Sequence, residues 1–265
     1  MSETMQSHYS RPDLVKGLLE ELAKAGHDPS ALQVRDLGEF DEFHVGRREA
    51  SRRLAPLLGL GPDDQLLDVG CGIGGPARFF ADATGARVTG IDLTPDFIEA
   101  ATELTRLVGL AERVRFQLAS GTDLPFEDAH FDAATLMHVG MNIEDKRTLL
   151  SEMARVTRPC GRVLVYDLMR IGEGELSYPM PWASYARFSF VDREAVYLDA
   201  AATAGLTPTE RISFEETART FFDPPREASK RSTKPGRPQP FENAREAVRA
   251  GIISPIAHVF TRERP

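Results

Sequence analysis

Apolar residues recur along this chain with two different periods, and the change between them divides it. Over residues 11–25, Leu14, Val15, Leu18, Leu19 and Leu22 fall three and four apart, the stripe of one helix face. Gly26 and Pro29 end that helix. A mixed segment follows over 36–46, then a second helix over 47–58 and a turn cluster over 59–64. From residue 65 short apolar runs replace the stripe. Gln65-Leu66-Leu67-Asp68-Val69, Arg87-Val88-Thr89-Gly90-Ile91-Asp92, Arg113-Val114-Arg115-Phe116-Gln117-Leu118 and Phe131-Asp132-Ala133-Ala134-Thr135-Leu136-Met137 read as strands, with a fifth over 161–168. Helices are expected between them over 76–83, from Thr94-Pro95 to Gly109, and over 146–157, Thr94 serving as cap and Pro95 opening the first turn. Strands alternating with helices imply βαβ units and a parallel sheet covered on both faces. Beyond residue 168 the pattern predicts a helix over 192–204, strands over 209–215 and 256–262, and a helix over 241–250. Residues 223–240, rich in Pro, Lys and Arg, read as a loop.

A length of 265 residues suits one large α/β domain. The net charge of −8 disfavours bulk attraction to nucleic acid or anionic lipid. The two cysteines, Cys71 and Cys160, are too few for a disulfide framework and have no metal-ligand partner at short spacing. The amino end is polar and no stretch is apolar for the length of a membrane span. These features predict a cytoplasmic protein without metal, membrane or nucleic-acid partner.

The chemistry concentrates at Asp68-Val69-Gly70-Cys71-Gly72-Ile73-Gly74-Gly75, between strand one and a helix. Glycines let a ligand approach the backbone, and the helix N-terminus behind them offers unpaired N–H groups. Gly70-x-Gly72-x-x-Gly75 matches the dinucleotide fingerprint, and Asp92 ends the next strand where a ribose-binding carboxylate is expected. Asp68 separates the readings. A carboxylate before the first glycine repels a pyrophosphate and suits a cofactor that is cationic there, such as S-adenosylmethionine.

The segment Leu67-Asp68-Val69-Gly70-Cys71-Gly72-Ile73-Gly74-Gly75 resembles motif I of the class I S-adenosylmethionine-dependent methyltransferases. Gly90-Ile91-Asp92-Leu93-Thr94 is similar to their acidic second motif, and Asp123-Leu124-Pro125-Phe126 with Phe131-Asp132 to the stretch along the adenine. Glu42-Phe43-His44-Val45-Gly46 and Met137-His138-Val139-Gly140-Met141-Asn142 resemble the small-molecule branch, which includes sarcosine, dimethylglycine and phosphoethanolamine N-methyltransferases. The resemblance implies a Rossmann-like, doubly wound α/β fold. Its seven-stranded sheet would be mostly parallel with the last strand antiparallel. An N-terminal helical lid over 1–60 would precede a methyltransferase domain over 61–265, with its cofactor half at 61–170 and an acceptor insertion at about 171–191.

Carried over residue by residue, Asp68, Gly70 and Gly72 hold the methionine part, Asp92 the ribose and Leu93 the adenine face. Ser120, where the family often has an acid, stands with Gly121 and Thr122 at the adenine edge. Met137 and His138 lie beside the sulfur. Phe43, His44, Met141, Asn142 and Trp182, the chain's one tryptophan, are expected around the acceptor. Methyl transfer needs the acceptor held in line and, for a phenol or carbon acid, a general base. Tyr9, His44 and His138 are the side chains offered for that role, and Tyr9 also lies in an N-terminal segment expected to fold over the cofactor. The basic run Arg226, Lys230, Arg231, Lys234, Arg237 has no aromatic residue within it for base stacking and reads as a solvated loop. The favoured function is N-methylation of a small-molecule amine by a monomer or homodimer. C- or O-methylation of a ring or polyketide-like metabolite is the alternative. An NAD(P)-dependent oxidoreductase and a non-catalytic cofactor-binding protein remain open as other classes.

Overall fold

The structure, a computed structural model, describes residues 13–223 and 239–264. Its centre is a seven-stranded sheet: β1 (Gln65–Val69), β2 (Arg87–Asp92), β3 (Val114–Leu118), β4 (Phe131–Met137), β5 (Thr157–Arg170), β6 (Leu206–Ser213) and β7 (Ile253–Arg262). The strands lie in the order β3-β2-β1-β4-β5-β7-β6. β1 to β5 pair in parallel, while β7 runs antiparallel to both β5 and β6, as the family resemblance implies for the last strand.

Alternation along the strands feeds two cores. Leu67, Val69, Leu136 and Val163 join one cluster with Leu149, Leu150 and Met153 of α6 (Lys146–Val156) and Tyr197 and Ala200 of α7 (Glu194–Thr203). Leu66, Ala133 and Leu164 join the opposite cluster with Leu54 of α3 (Arg47–Leu58) and Phe80 of α4 (Gly75–Thr84). Each Val, Leu, Met or Phe side chain among them, taken fully from water, contributes about 1.5–3 kcal/mol. Before the sheet, α1 (Leu14–Lys24) lays Leu22 against Phe97 and Leu104 of α5 (Pro95–Leu107), next to the short α2 (Val34–Leu37).

Two elements depart from the sequence pattern. β5 starts at Thr157, ahead of the expected 161. The strand expected over 209–215 occupies Leu206–Ser213, and a helix, α8 (Glu215–Phe222), follows it. Glu215 and Glu216 sit in its first turn, where the helix dipole favours anions, and Ala218 and Phe222 are buried. The last helix, α9 (Gln239–Arg249), precedes β7.

Candidate functional site

The strand order reverses direction between β1 and β4, and in open α/β sheets ligands bind outside the carboxyl ends of strands at such a point. A cavity of about 260 Å³ lies there. Its walls come from the glycine loop, the ends of β2 and β4, residues 41–45 before α3, and residues after β5 and β6.

The glycines of the loop do different work. A Cβ on Gly75 would stand 2.2 Å from the Asp41 carbonyl oxygen, and one on Gly74 2.5 Å from the Phe116 ring, so both are packing glycines. Gly72, at φ 54, would meet nothing nearer than Phe43 at 3.8 Å, and its open side is the cavity. Arg78 of α4 ties the loop from beneath. It is fully buried and donates to Asp41 Oδ2 (2.9 Å), the Ile73 carbonyl (2.6 Å), the Ala101 carbonyl (3.1 Å) and Thr105 Oγ1 (3.0 Å). Asp92 lines the cavity at the end of β2. Its Oδ2 accepts from Gly72 N–H (3.0 Å) and its Oδ1 from Thr94 N–H (2.9 Å). The Thr94 hydroxyl and the Leu93 N–H are further donors to this carboxylate. Burial pushes its carboxyl above the usual range.

Asp68 sits one step behind this wall and is 1% exposed. Strand alternation puts it on the face of Leu66 rather than that of Val69. Oδ1 accepts from Thr135 Oγ1 (2.8 Å), and Oδ2 has no hydrogen-bond partner among the described residues. Burial raises its pKa to about 7. Leu93, half exposed, and Gly121 line the cavity with Ala119. Ser120 and Thr122 stand outside the lining, their hydroxyls bonded to each other at 2.8 Å.

Across the cavity, the structure brings together Phe43, His44, Met137, His138, Met141, Asn142 and Trp182. His138 follows β4 at φ 57, and its Nε2 is buried without a partner among the described residues. The His44 and His138 rings lie 6.1 Å apart, both near Tyr166. Burial pulls His44 down to about 4 and His138 well below its ordinary value, so both are neutral at neutral pH. Trp182 donates to Ser189 Oγ (2.9 Å), and its carbonyl accepts from Asn142 Nδ2 (2.8 Å). The sequence reading missed Phe221 and Phe222 at the end of α8 and Phe241 in α9, which complete the wall. Tyr9 and the basic run 226–237 lie outside the described residues. Among those residues, no three His, Cys, Asp or Glu side chains could hold a metal ion, and no helix is long and apolar enough to cross a membrane.

Residues 67–165, which carry the glycine loop and Asp92, match the methyltransferase domain family. Residues 67–165 thus carry a methyltransferase domain. That domain is similar to a methyltransferase of Streptomyces halstedii, with 31% identity over 59% of this chain and 54% of that protein. It is also similar to the chloroplastic tocopherol O-methyltransferase of Arabidopsis thaliana, with 36% identity over 52% of this chain and 41% of that protein. The chain thus spans about half the length, or less, of these relatives. The fold is shared with geranyl diphosphate C-methyltransferase from Streptomyces coelicolor A3(2), solved with Mg2+, geranyl diphosphate and S-adenosyl-L-homocysteine. The TM-score is 0.69 at 20% identity, covering 96% of this chain and 99% of that one. The methyltransferase domain accounts for β1 to β5, while the Phe221, Phe222 and Phe241 wall falls outside the matched residues.

Proposed function

We propose that this chain transfers a methyl group from S-adenosylmethionine to oxygen or carbon of a small apolar acceptor. One observation carries the choice of acceptor: the far wall is aromatic and aliphatic, and of the acids lining the cavity Asp41 is already neutralised by Arg78 (2.9 Å) and Arg48 (3.8 Å), while Asp92 accepts from backbone N–H groups. A cationic amine would need a free carboxylate there. This reading therefore sets aside the amine favoured from the sequence for its C- or O-methylation alternative. The oxygen specificity named for the tocopherol relative and the carbon specificity of the structural neighbour support it.

The residues fit the cofactor. It supplies a methyl group on a sulfonium, an excellent leaving group, so the protein's work is to hold, orient and exclude water. In this reading Gly72 admits the amino-acid part against bare backbone. Asp68, with an oxygen still unpartnered, offsets the ammonium charge. Asp92 takes the ribose hydroxyls, Leu93 and Gly121 flank the adenine, and Met137 and His138 border the reacting methyl. In this reading Asp41, Phe43, His44 and Val45, before α3, form one side of the site.

Calorimetry with S-adenosylhomocysteine tests the proposal. Binding that weakens roughly 10–100-fold in Asp92→Ala, the worth of hydrogen bonds to a charged group, is the expected outcome. No binding at millimolar ligand would overturn it, and NADH binding in its place would revive the nicotinamide reading. With labelled cofactor, apolar phenols and prenyl alcohols should be methylated ahead of glycine and sarcosine.

A further inference from the structure

His44 has a feature that a buried histidine in a plain core lacks: everything around one of its nitrogens is an acceptor. Nε2 lies 2.9 Å from the Arg47 carbonyl oxygen, 3.4 Å from Glu42 Oε2 and 3.4 Å from Ser51 Oγ. The carbonyl can only accept. Glu42 is held as a carboxylate partner by Arg48 on Oε1 and by the Ser51 hydroxyl, which donates to Oε2 at 2.5 Å. The Ser51 proton is therefore spent on Glu42, and its oxygen too faces Nε2 as an acceptor. Three acceptors around one nitrogen require that nitrogen to carry the hydrogen. In a neutral imidazole the lone pair then belongs to Nδ1. His44 lines the cavity, so Nδ1 is the nitrogen left to meet a ligand.

We infer that Glu42 and Ser51 are positioning residues that, with the Arg47 carbonyl, lock His44 as the Nε2–H tautomer, so that Nδ1 accepts the proton of a hydroxyl group on the acceptor. The inference rests on the methyl-transfer reading and narrows its substrate class to hydroxylated apolar molecules. As the acceptor oxygen forms its bond to the methyl carbon, the C–S pair stays on sulfur. The O–H bond breaks, its pair stays on oxygen, and the proton passes to Nδ1. The imidazolium so formed faces Glu42, which offsets its charge, and it later returns the proton to water. The other charged or titratable groups facing His44 are Arg47 and Arg48, which disfavour its charged form, with His138 and Tyr166 packed on its ring. A hydroxyl on the ligand also satisfies a polar atom that an apolar acceptor would leave buried without a partner, at a cost of about 1–3 kcal/mol.

The test is nitrogen NMR on protein with labelled histidine, saturated with S-adenosylhomocysteine at neutral pH, with the His44 signals assigned by their loss in His44→Gln. The expected spectrum shows hydrogen on Nε2 and none on Nδ1. Phenol should move the Nδ1 resonance towards its hydrogen-bonded position, and toluene, its counterpart without the hydroxyl, should not. In Glu42→Gln the single tautomer should give way to a mixture while homocysteine-cofactor binding is kept. The inference is overturned by hydrogen on Nδ1 in the wild type, or by equal or absent responses to phenol and toluene. The wild-type spectra decide the matter even if the variant does not fold. Cofactor titration in the same samples separates the two failures. No cofactor binding sinks the methyl-transfer reading, whereas binding with the wrong tautomer sinks only this inference.

Discussion

On the glycine-loop side of the cavity, Asp92 gives both oxygens to backbone N–H groups and Arg78 fastens the loop to Asp41 with full burial. On the far side, His138 Nε2 has no partner among the described residues, and Met141, Trp182, Phe222 and Phe241 supply the wall. The first side is mostly paired within the protein before a ligand arrives, with Asp68 Oδ2 the oxygen still without a hydrogen-bond partner among the described residues. The second is left incomplete in its hydrogen bonding, and a ligand must complete it. Such a division suits a constant cofactor beside an acceptor that has to be discriminated, because unpaired polar atoms reject ligands that cannot pair them.

The largest effect should come from loosening the better-tied, glycine-loop side. Arg78→Leu leaves Asp41 buried without its close partner and frees the Ile73 carbonyl, and should cost about 3–5 kcal/mol, read from urea unfolding. A loss under about 1 kcal/mol would mean that this side is not the rigid one. Next comes Asp68, whose effect depends on pH. Burial raises its folded-state pKa from 3.8 to about 7, so the folded protein holds a proton there that the unfolded chain has released above about pH 4. The folded state is therefore penalised progressively as pH climbs from about 4 to about 7, and the penalty is complete above that. Asp68→Asn should gain stability over the wild type across this window in thermal unfolding, least near pH 4 and most near pH 8. A gain that does not change with pH would sink this assignment. The smallest effect belongs to the far side. Phe241 is 41% exposed, so Phe241→Ala should scarcely alter stability or cofactor affinity while weakening phenol binding by about 1 kcal/mol, roughly fivefold. Equal losses for cofactor and phenol would erase the distinction between the two sides.

The same division explains what could be read from the sequence. Strands buried on both faces appear as apolar runs, so β1, β2 and β4 were legible with correct ends, while the edge strand β3 was legible from its alternation of Val114, Phe116 and Leu118 with polar residues. The glycine loop and Asp92 were legible because their spacing is local and chemical. Asp68 was legible as an acid at a strand end, but its place behind the wall follows from the alternation of β1, which gives it the face of Leu66. Ser120 and Thr122 were expected at the adenine edge, yet their hydroxyls satisfy each other across a tight turn and Ala119 and Gly121 line the cavity. The aromatic wall was not legible. Phe221 and Phe222 end a short helix whose first residues extend the β-like run before it, and they meet Met141 and Trp182 only through tertiary packing. The role offered to His44 was visible as a residue type, whereas its tautomer depends on Glu42, two residues before it, and on Ser51, seven residues after it in α3.

The antiparallel insertion of β7 between β5 and β6 sets a schedule for synthesis. When β6 leaves the ribosome, the neighbour it will pair with does not yet exist, and β5 still presents an open edge. Both must wait for residues 253–262. Until then the nascent chain carries two unpaired strands beside an assembled glycine loop, the kind of edge that recruits other chains. Sheet completion therefore waits for the synthesis of residues 253–262, and slowing the ribosome just before residue 253 should lengthen the interval in which a chaperone is needed.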